Sequence, residues 1–350
     1  MSDVSSILLT LVALLPLAVI QPEPGPPAPM PEDTDMMSAI VVRAFGGPEV
    51  LTYEAAPRPV PADDEILIRV IAAGVNPVDA KIRTGMFARM IGTKLPMIPG
   101  MDVSGIVAKT GANVTKFKEG DPVYACLSLE RQGAYAQYAV AKENEASPKP
   151  KGITHEAAAS MPVAAASAWQ ALVEIAKLSS GQTVLIHGGS GGVGSFAIQI
   201  AKARGAKVIA TASAGNQQFL KELGADQTID YNATKFEDVV KNVDVVLDSV
   251  AGETLKRSYG VVKKGGIIVS LLEPPDKAEL DARGIRGTAF LVSPNTGLLG
   301  ELTELVEAKK LKAVVTKVFP LAEAAKAHEA IETGHTRGKI VLRVVEEPKS

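Results

Sequence analysis

The segment AGVNPVDAKIRTG, residues 73–85, places an amide, a carboxylate and two cations within one short stretch. Such side chains can orient a carbonyl group, or donate hydrogen bonds to an oxygen that gains negative charge during a reaction. The preceding EILIRVIA is rich in apolar, β-branched residues and predicts a strand. The Asn-Pro step predicts a turn, because proline pushes the residue before it out of the helical region. We therefore expect a strand followed by a turn, whose polar side chains are candidates for a place in a cleft.

A second segment, HGGSGGVGSFAIQIAKARG, carries glycines in the pattern G-x-G-x-x-G. The pattern alone is weak, but here it lies between a predicted strand, TVLIH, and a predicted helix, with the strand KVIATAS following. That context is typical of a dinucleotide-binding loop, in which glycines admit the pyrophosphate and the helix N-terminus supplies free N–H groups. The alternative is a glycine-rich turn without a ligand. The predicted contacts of the loop are Gly189, Ser190, Gly191, Gly192, Val193 and Gly194.

The end of the second strand bears on the choice of cofactor. An NAD site usually has an Asp or Glu there, bonded to the ribose 2′-hydroxyl. Residues 211–213 are Thr, Ala and Ser, and the next carboxylate is Glu222. The absence of an acid removes repulsion of a 2′-phosphate, so NADPH is favoured over NADH, with Lys221 as the nearest cation. Neutral hydrogen bonds to the nucleotide are predicted from Ser213, Asn216 and Tyr231.

The elements that position these residues change character along the chain. Residues 38–150 contain short β-like runs broken by Gly and Pro, among them VSGIVAKT, DPVYAC and GAYAQYAVA, which predict a β-rich domain. After residue 150, strands alternate with helices, beginning with a helix over 164–178 and ending with the strand-like GTAFLVSP. Such alternation predicts an α/β unit with a parallel sheet covered on both faces. Two helices and two strands follow in the tail, and their packing partner is not evident from the sequence.

Composition describes a globular chain of 350 residues, with 46% apolar and 22% charged residues. Lys and Arg total 37 against 39 Asp and Glu, so no basic surplus points to nucleic acid or to an anionic membrane. The single cysteine, Cys126, excludes an intramolecular disulfide and a multi-cysteine metal site, and its strand-like surroundings predict a buried thiol.

The first 35 residues differ from the rest. Residues 7–20 are apolar but fewer than the ~20 that span a bilayer comfortably, and residues 21–31 are proline-rich. No Lys or Arg precedes the apolar run, which counts against a secretory signal. Two interpretations stay open: an extension ahead of a fold that begins at Met36 or Met37, or a signal or anchor. We expect a cytoplasmic protein without a stable membrane span, unless this segment acts as an export signal or tether.

Five motifs together resemble one family: AGVNPVDAKIRTG, PGMDVSGIV, GGSGGVG, GADQTIDY and TGHTRGKIVL. In this order they resemble the medium-chain dehydrogenase/reductase superfamily, in its zinc-free quinone oxidoreductase branch, and look most similar to enone and alkenal reductases. The resemblance implies a GroES-like catalytic domain over 36–160, a Rossmann-type, doubly wound domain over 161–294, and a tail, 295–350, that returns to the catalytic domain. The active site would lie in the cleft between the two domains.

The resemblance also bears on metal content and catalysis. Zinc-dependent relatives carry a zinc-ligating cysteine where Asn76 stands and a Gly-His-Glu where this chain has Gly-Met-Asp at 100–102, so no catalytic zinc is expected. Lys81 is implied as a hydrogen-bond donor near substrate, and Asn76 as a group that orients the carboxamide or the substrate carbonyl. The alternatives are that Lys81 solvates a loop and that Asn76 holds its own turn. Asp79 and Arg83 are expected to be structural.

Further cofactor contacts are implied by the same resemblance at Ser167, Ser249, Ser270, Phe290, Val292 and Lys339, each of which also has a structural interpretation. Phe87 and Met90 are candidates for the substrate wall or for an apolar loop anchor. The predicted function is an NADPH-dependent reductase of quinones or α,β-unsaturated carbonyls, acting as a homodimer on a small-molecule substrate. The alternatives are an enoyl-thioester reductase and a catalytically idle, crystallin-like NADPH-binding protein.

Overall fold

The computed structural model describes residues 35–346, apart from the side chains of residues 88 and 89. The two interpretations of residues 1–35 concern a segment that lies almost wholly outside the described residues. Within 35–346, no helix is both long enough and apolar enough to cross a bilayer.

The first part of the chain is β-rich, as predicted, and its largest sheet is built around one long central strand. That strand, β3, is buried along nearly its whole length, because neighbouring elements cover both of its faces. Its buried side chains Ile66 and Ile68 share a core with Ile40, Val103 and Tyr135. The strands of this part are β1 (Met36–Val41), β2 (Thr52–Pro57), β3 (Glu65–Val75), β4 (Asp102–Thr110), β5 (Pro122–Cys126), β6 (Tyr138–Lys142) and β7 (Ala146–Pro148), and its helices are α1 (Pro77–Arg83), α2 (Ala88–Ile91) and α3 (His155–Ala159).

The second part is a six-stranded sheet, with all strand pairs parallel, in the order β10-β9-β8-β11-β12-β13. Separate apolar cores lie against it, one including Phe196 and the other Phe236, so the predicted doubly wound architecture is confirmed. The order reverses between β8 and β11, where α/β sheets open a crevice for ligands. The strands are β8 (Thr183–Ile186), β9 (Lys207–Ala212), β10 (Gln227–Asp230), β11 (Val243–Asp248), β12 (Val262–Ser270) and β13 (Arg286–Ala289), and the helices are α4 (Pro162–Trp169), α5 (Gly192–Ala203), α6 (Gln217–Glu222), α7 (Phe236–Val239), α8 (Gly252–Ser258) and α9 (Lys277–Arg283).

The tail contacts both parts of the chain. Its elements are α10 (Thr296–Glu307), β14 (Val315–Pro320), α11 (Ala324–Glu332) and β15 (Lys339–Arg343). Strand β15 pairs antiparallel with the end of β3, and β14 pairs with β15, so the tail completes the first sheet. Helix α10 instead contributes Leu298, Leu299 and Leu302 to the core around α5. Pairing of β15 with β3 brings residues from opposite ends of the chain to the same side of the cleft.

Four local predictions were wrong in detail. Asn76-Pro77 does not form a turn but begins helix α1. Proline suits the first helical position, where its missing N–H would have no partner in any case. Asn76 keeps the extended backbone that a following proline favours. The helix over 164–178 ends as α4 at Trp169 and continues as a π-helix over Gln170–Ile175. Strand β13 ends at Ala289, short of the predicted GTAFLVSP. Strand β6 begins only at Tyr138, because the residues before it bond to β1 and to the segment around Pro99.

Candidate active site

A cavity of about 1450 Å³ lies between the two sheets, at the carboxyl ends of the parallel strands. It exceeds the usual range of single small-molecule pockets, and its size suits a dinucleotide together with a substrate. Most of the predicted site residues share its wall: Asn76, Lys81, Ser167, Ser190, Gly191, Gly192, Val193, Gly194, Ser213, Asn216, Tyr231, Ser249, Phe290, Val292 and Lys339. The structure therefore brings together residues that are up to 263 positions apart in the chain.

The glycine loop connects β8 to α5 and borders this cavity. A Cβ on Gly194 would lie 2.2 Å from the carbonyl oxygen of Gly188, so only glycine allows this close approach of helix and strand. A Cβ on Gly191 would meet only that same carbonyl oxygen, at 3.4 Å, which leaves its cavity side open. The first N–H groups of α5 lack intrahelical partners by helix geometry and can bind an anion. The loop therefore fits a pyrophosphate group.

Two of the predicted contacts lie behind the cavity wall. A Cβ on Gly189 would press on Ala210 and Leu220, so this glycine serves the packing of the loop on its own sheet. Ser270 is fully buried at the end of β12, with its hydroxyl 3.3 Å from Asp248 Oδ2. The sequence indicates the end of a strand correctly in both cases but not which way the residue faces.

On the opposite wall, the end of β3 leads into α1 and fixes Asn76. This side chain is buried, its Nδ2 donates to Asp102 Oδ2 at 2.9 Å, and its Oδ1 accepts from Lys339 Nζ. Lys339 Nζ also donates to the carbonyl oxygen of Val75 at 3.1 Å and lies 3.9 Å from Asp102 Oδ2. The other carboxylate oxygen of Asp102 accepts from the backbone N–H of Val163 at 2.9 Å. Asn76, Asp102 and Lys339 therefore form one buried, mutually bonded cluster.

Burial governs the ionisation of this cluster. Desolvation raises the pKa of Asp102 to about 6, although the Lys339 ammonium and the Asn76 amide act in the opposite direction. Desolvation likewise lowers the pKa of Lys339, while Asp102 opposes that change. The carboxylate and the ammonium stabilise each other's charged forms at neutral pH, and both are largely occupied by contacts within the protein.

Lys81 is the second cation of this wall, and its surroundings differ. It follows Asn76 by about one helical turn, is half-buried, and its Nζ lies 5.9 Å from the centre of the Phe87 ring. No carboxylate among the described side chains forms an ion pair with it. Phe87 and Met90 line the cavity, and Phe87 also packs against the core of the β-rich part, so the substrate wall and the apolar loop anchor both stay predictions. The Lys81 ammonium is therefore available to a ligand in the cleft.

The far end of the cavity holds the residues expected to contact the adenosine ribose. Ser213 Oγ accepts from Asn216 Nδ2 at 3.1 Å, and Tyr231 is exposed beside them at the end of β10. The carboxylates that line the cavity, Glu130, Glu145 and Glu332, come from the β-rich part and from the tail. Neither Lys221, the cation suggested from sequence, nor Arg337 is among the lining residues. The Arg337 guanidinium stacks 4.2 Å over the Phe219 ring of α6.

A chain of buried polar groups lies beneath α1. Asp79 Oδ2 accepts from the Asn76 backbone N–H at 2.8 Å and from the Tyr135 hydroxyl at 2.9 Å, and that hydroxyl lies 3.2 Å from His328 Nε2. Arg83 bonds His328 Nδ1 and both oxygens of Glu332, which confirms the structural ion pair expected for Arg83. The chain ties α1 to α11 and so holds the helix that carries Lys81.

Cys126 and His187 also line the cavity, but their environments make them poor reactive groups. Cys126 is buried, as predicted, and desolvation raises the pKa of its thiol well above the usual value. His187 is bonded on both ring nitrogens, to Thr211 and Ser258, and desolvation lowers its pKa to about 3. Ser258 Oγ already donates to the Thr254 carbonyl, so His187 Nε2 must be the donor to Ser258.

Comparison with known proteins gives a consistent assignment. Residues 62–151 match the alcohol dehydrogenase GroES-like domain, and residues 223–342 match the family described as zinc-binding dehydrogenase. The chain is 36% identical to the mitochondrial NAD(P)H oxidoreductase RTN4IP1 of Danio rerio, over 90% of this chain and 93% of that protein. It is 38% identical to the chloroplastic NADPH-dependent alkenal/one oxidoreductase of Arabidopsis thaliana, over 87% and 79% of the two chains. The chain belongs to the quinone oxidoreductase branch of the medium-chain dehydrogenase/reductase superfamily.

A solved structure supports the same fold. The quinone oxidoreductase from Coxiella burnetii superposes with a TM-score of 0.83 at 37% identity, covering 89% of this chain and all of that one. As a member of this branch the chain is an NAD(P)H oxidoreductase with a GroES-like domain and a Rossmann-type sheet. Within residues 35–346, no group of three or more His, Cys, Asp and Glu side chains is arranged to hold a metal ion.

Sequence reasoning missed two parts of this site. The sequence places Asp102 only within the Gly-Met-Asp that stands where zinc-dependent relatives have Gly-His-Glu, and it does not predict the contacts with Asn76 and Lys339. One signal does point to them, since an acid in the buried first half of strand β4 requires a partner. Local sequence likewise does not indicate Arg337, because it lies in the tail, more than 100 residues after Phe219 of α6, whose ring it contacts.

Proposed function

We propose that the protein is an NADPH-dependent, zinc-independent reductase that delivers hydride to quinones or to the C=C bond of α,β-unsaturated carbonyl compounds. The observation that carries this proposal is the Lys81 ammonium, which lines the same cavity as the glycine loop and has no ion-pair partner among the described carboxylates. The other cation of the wall, Lys339, is held by Asn76, Val75 and Asp102. A cationic donor without an ion-pair partner among the described carboxylates suits an oxygen that gains charge only during the reaction.

The bound nicotinamide supplies the hydride. When hydride adds to the β-carbon of an enone, the π electrons of the C=C bond move toward the carbonyl, and the oxygen becomes an enolate. Lys81 is positioned to donate a charge-assisted hydrogen bond to that oxygen. Asn76, whose amide orientation is fixed from both sides, retains one N–H of Nδ2 for the substrate or the carboxamide. The α-carbon then takes a proton from solvent entering the cleft.

The residues present do not fit a catalytic zinc. At the place of the zinc-binding cysteine stands an amide whose oxygen already accepts from Lys339, and Met101-Asp102 replaces the His-Glu pair. A catalytic zinc needs three protein ligands of the His, Cys or carboxylate type and an open position. The Lys339 ammonium occupies the same surroundings and would repel a dication. Reduction of an activated double bond can proceed without the Lewis acid that alcohol oxidation requires.

The preference for NADPH rests on the wall around Ser213, Asn216 and Tyr231. The described carboxylates that line the cavity lie in other segments, so a 2′-phosphate meets hydroxyl and amide groups here. Arg337, stacked on α6 through Phe219, supplies a positive charge on this side of the fold. Arginine held against an aromatic ring keeps its donors free for a phosphate. We therefore include Arg337 in the proposed 2′-phosphate site.

The test follows NADPH oxidation with a panel of quinones, short enones and enoyl thioesters, first for the wild-type protein. Turnover of quinones or enones supports the proposal, turnover of enoyl thioesters alone favours the alternative reductase, and NADPH binding without turnover favours an idle binding protein. Lys81→Ala should lower kcat with an enone at saturating NADPH about tenfold or more, as expected for one charge-assisted donor. Lys326→Ala removes an exposed lysine outside the cavity and is the matched control. An unchanged kcat in Lys81→Ala would remove Lys81 from the mechanism.

A homodimer is also part of the proposal. Strand β13 is an outer strand of the six-stranded sheet, and its free edge can pair with a second copy. Light scattering of the purified protein should give twice the chain mass of 36.5 kDa, and the mass of a single chain would contradict it.

A further inference from the structure

The mouth of the cavity carries an unusual share of the exposed apolar side chains. Ten large hydrophobic residues within 35–346 are well exposed, and six of them line this one cavity, although it is lined by only about a sixth of the described residues. Single exposed apolar residues are ordinary, but a group around one opening indicates a binding surface. Five of the six are aliphatic and define what we call the apolar rim: Met86, Met90, Val250, Leu272 and Leu291.

The apolar rim lies on two sides of the cavity mouth, and each side comes from a different part of the fold. Met86 and Met90 come from the segment after α1 and are 69% and 61% exposed. Val250, Leu272 and Leu291 follow β11, β12 and β13, so they project from the carboxyl ends of neighbouring parallel strands. A long ligand leaving the cavity can therefore contact apolar side chains on both sides. Methionine is flexible and polarizable, and so adapts to ligands of different shape.

The wall that carries α1 in the same cavity is polar. Lys81 and Asn76 lie on it, and Phe87 marks the transition, since its ring centre is 5.9 Å from Lys81 Nζ and its side chain is half-buried. Met86 immediately precedes Phe87, and its backbone N–H is bonded to the Lys81 carbonyl at 3.1 Å. Between Lys81 and Met90, a stretch of ten residues, the wall therefore carries a charged donor, an aromatic ring and two exposed methionines. Such a gradient matches a molecule with a polar head and an apolar tail.

We propose that the apolar rim is a binding subsite for the hydrocarbon tail of an amphiphilic substrate, a quinone or enone whose polar head lies against Lys81. This inference rests on the proposed function for the head and adds a class of substrate. The surface is continuous with the candidate reaction site, which favours a tail attached to the reacting group over an unrelated partner. Each tail methylene that moves from water onto the rim contributes to binding, by about two- to fourfold in affinity for partial to full burial.

The test measures kcat/KM for a series of enones that share one head and carry unbranched tails of increasing length. The logarithm of kcat/KM should rise with each added methylene and level off once the tail extends past the rim. Met90→Gln and Leu272→Gln should each reduce this slope, because a polar amide on the apolar rim lowers the binding free energy gained from each buried methylene. Val239→Thr alters an equally exposed apolar residue outside the cavity and should leave the slope as in wild type.

Binding of saturated ketones with the same tails, measured by calorimetry, separates this inference from the proposed reaction. Affinity that rises with tail length and falls in the rim variants supports the subsite even if no enone is reduced. A flat dependence on tail length in the wild-type protein overturns the inference even if short enones are good substrates. A third outcome would also overturn the inference: the protein binds neutral phospholipid vesicles in a way that depends on Met90 and Leu272, and affinity for the ketones does not depend on tail length. That result would assign the apolar rim to a lipid surface.

Discussion

Asp79 offers a prediction whose size follows from its surroundings. Its side chain is fully buried, and Oδ1 has no hydrogen-bond partner among the described groups. Desolvation raises the pKa of Asp79 from 3.8 to about 7. The bond from the Asn76 N–H opposes this change, and the negative charge of Asp102 adds to it. The bond from Tyr135 and the charge of Lys339 lower the pKa but do not offset burial. The charged residues of the polar chain beyond Tyr135, Arg83 and Glu332, are paired with each other.

The sign of the pH effect follows from proton linkage. In the unfolded chain Asp79 loses its proton near pH 4, whereas in the folded chain it holds the proton until about pH 7. Its contribution to stability is therefore fully present below about pH 4 and is lost as the pH rises through about 7. A difference of about three pKa units corresponds to about 4 kcal/mol of the free energy of unfolding.

Asp79→Asn should remove this dependence. The new amide oxygen can accept from Asn76 N–H and Tyr135, but its NH₂ group is left without an acceptor where Oδ1 lay, at a cost of about 1–3 kcal/mol. The variant should therefore gain stability relative to wild type as the pH rises and be the more stable protein near pH 8. Of the full change of about 4 kcal/mol, about 2–3 kcal/mol falls between pH 5 and pH 8, because wild type loses the rest at lower pH. Urea denaturation followed by circular dichroism across this range measures it, with exposed Asp63→Asn as control. Parallel pH curves for Asp79→Asn and wild type would refute the reasoning.

Two further predictions concern Arg337 and Lys339. Arg337→Met should lower the ratio of kcat/KM for NADPH over NADH by about tenfold, because one charge-assisted contact to the 2′-phosphate is lost; a variant that retains the wild-type ratio would exclude Arg337 from the cofactor site. Lys339→Met should lower the free energy of unfolding by about 3–5 kcal/mol, because it leaves the Asp102 carboxylate buried without its cation. A loss below about 1 kcal/mol in urea denaturation would indicate that Asp102 is already neutral in the folded protein.

The sequence predicted those parts of the fold that depend on local patterns. Alternating strands and helices after residue 150 indicated the parallel sheet, and the glycine loop indicated which strand end borders the cavity. The turn assigned to Asn76-Pro77 was wrong, because the same dipeptide suits a helix start, and only the bond from the Asn76 N–H to Asp79 distinguishes the two. The contacts of Asn76 with Asp102 and Lys339 span 26 and 263 residues. Local propensity carries no information about pairs that only the assembled sheets bring together.

Lys339 and Lys81 both line the cleft, and their different surroundings suit them to different tasks. Lys339 is buried, and each of its contacts is made within the protein, so its charge serves to fix Asn76 and to neutralise Asp102. Lys81 lies in α1, which is held at both ends. At its start, Asp79 accepts from the Asn76 N–H, and at its end, Arg83 pairs with Glu332 of α11. The backbone of Lys81 is therefore fixed, while its ammonium remains available. The proposed metal-free reduction needs an electrophilic group that is held in place before charge develops on the substrate. We propose Lys81 for that group, so its removal should lower kcat, whereas removal of Lys339 should first lower stability.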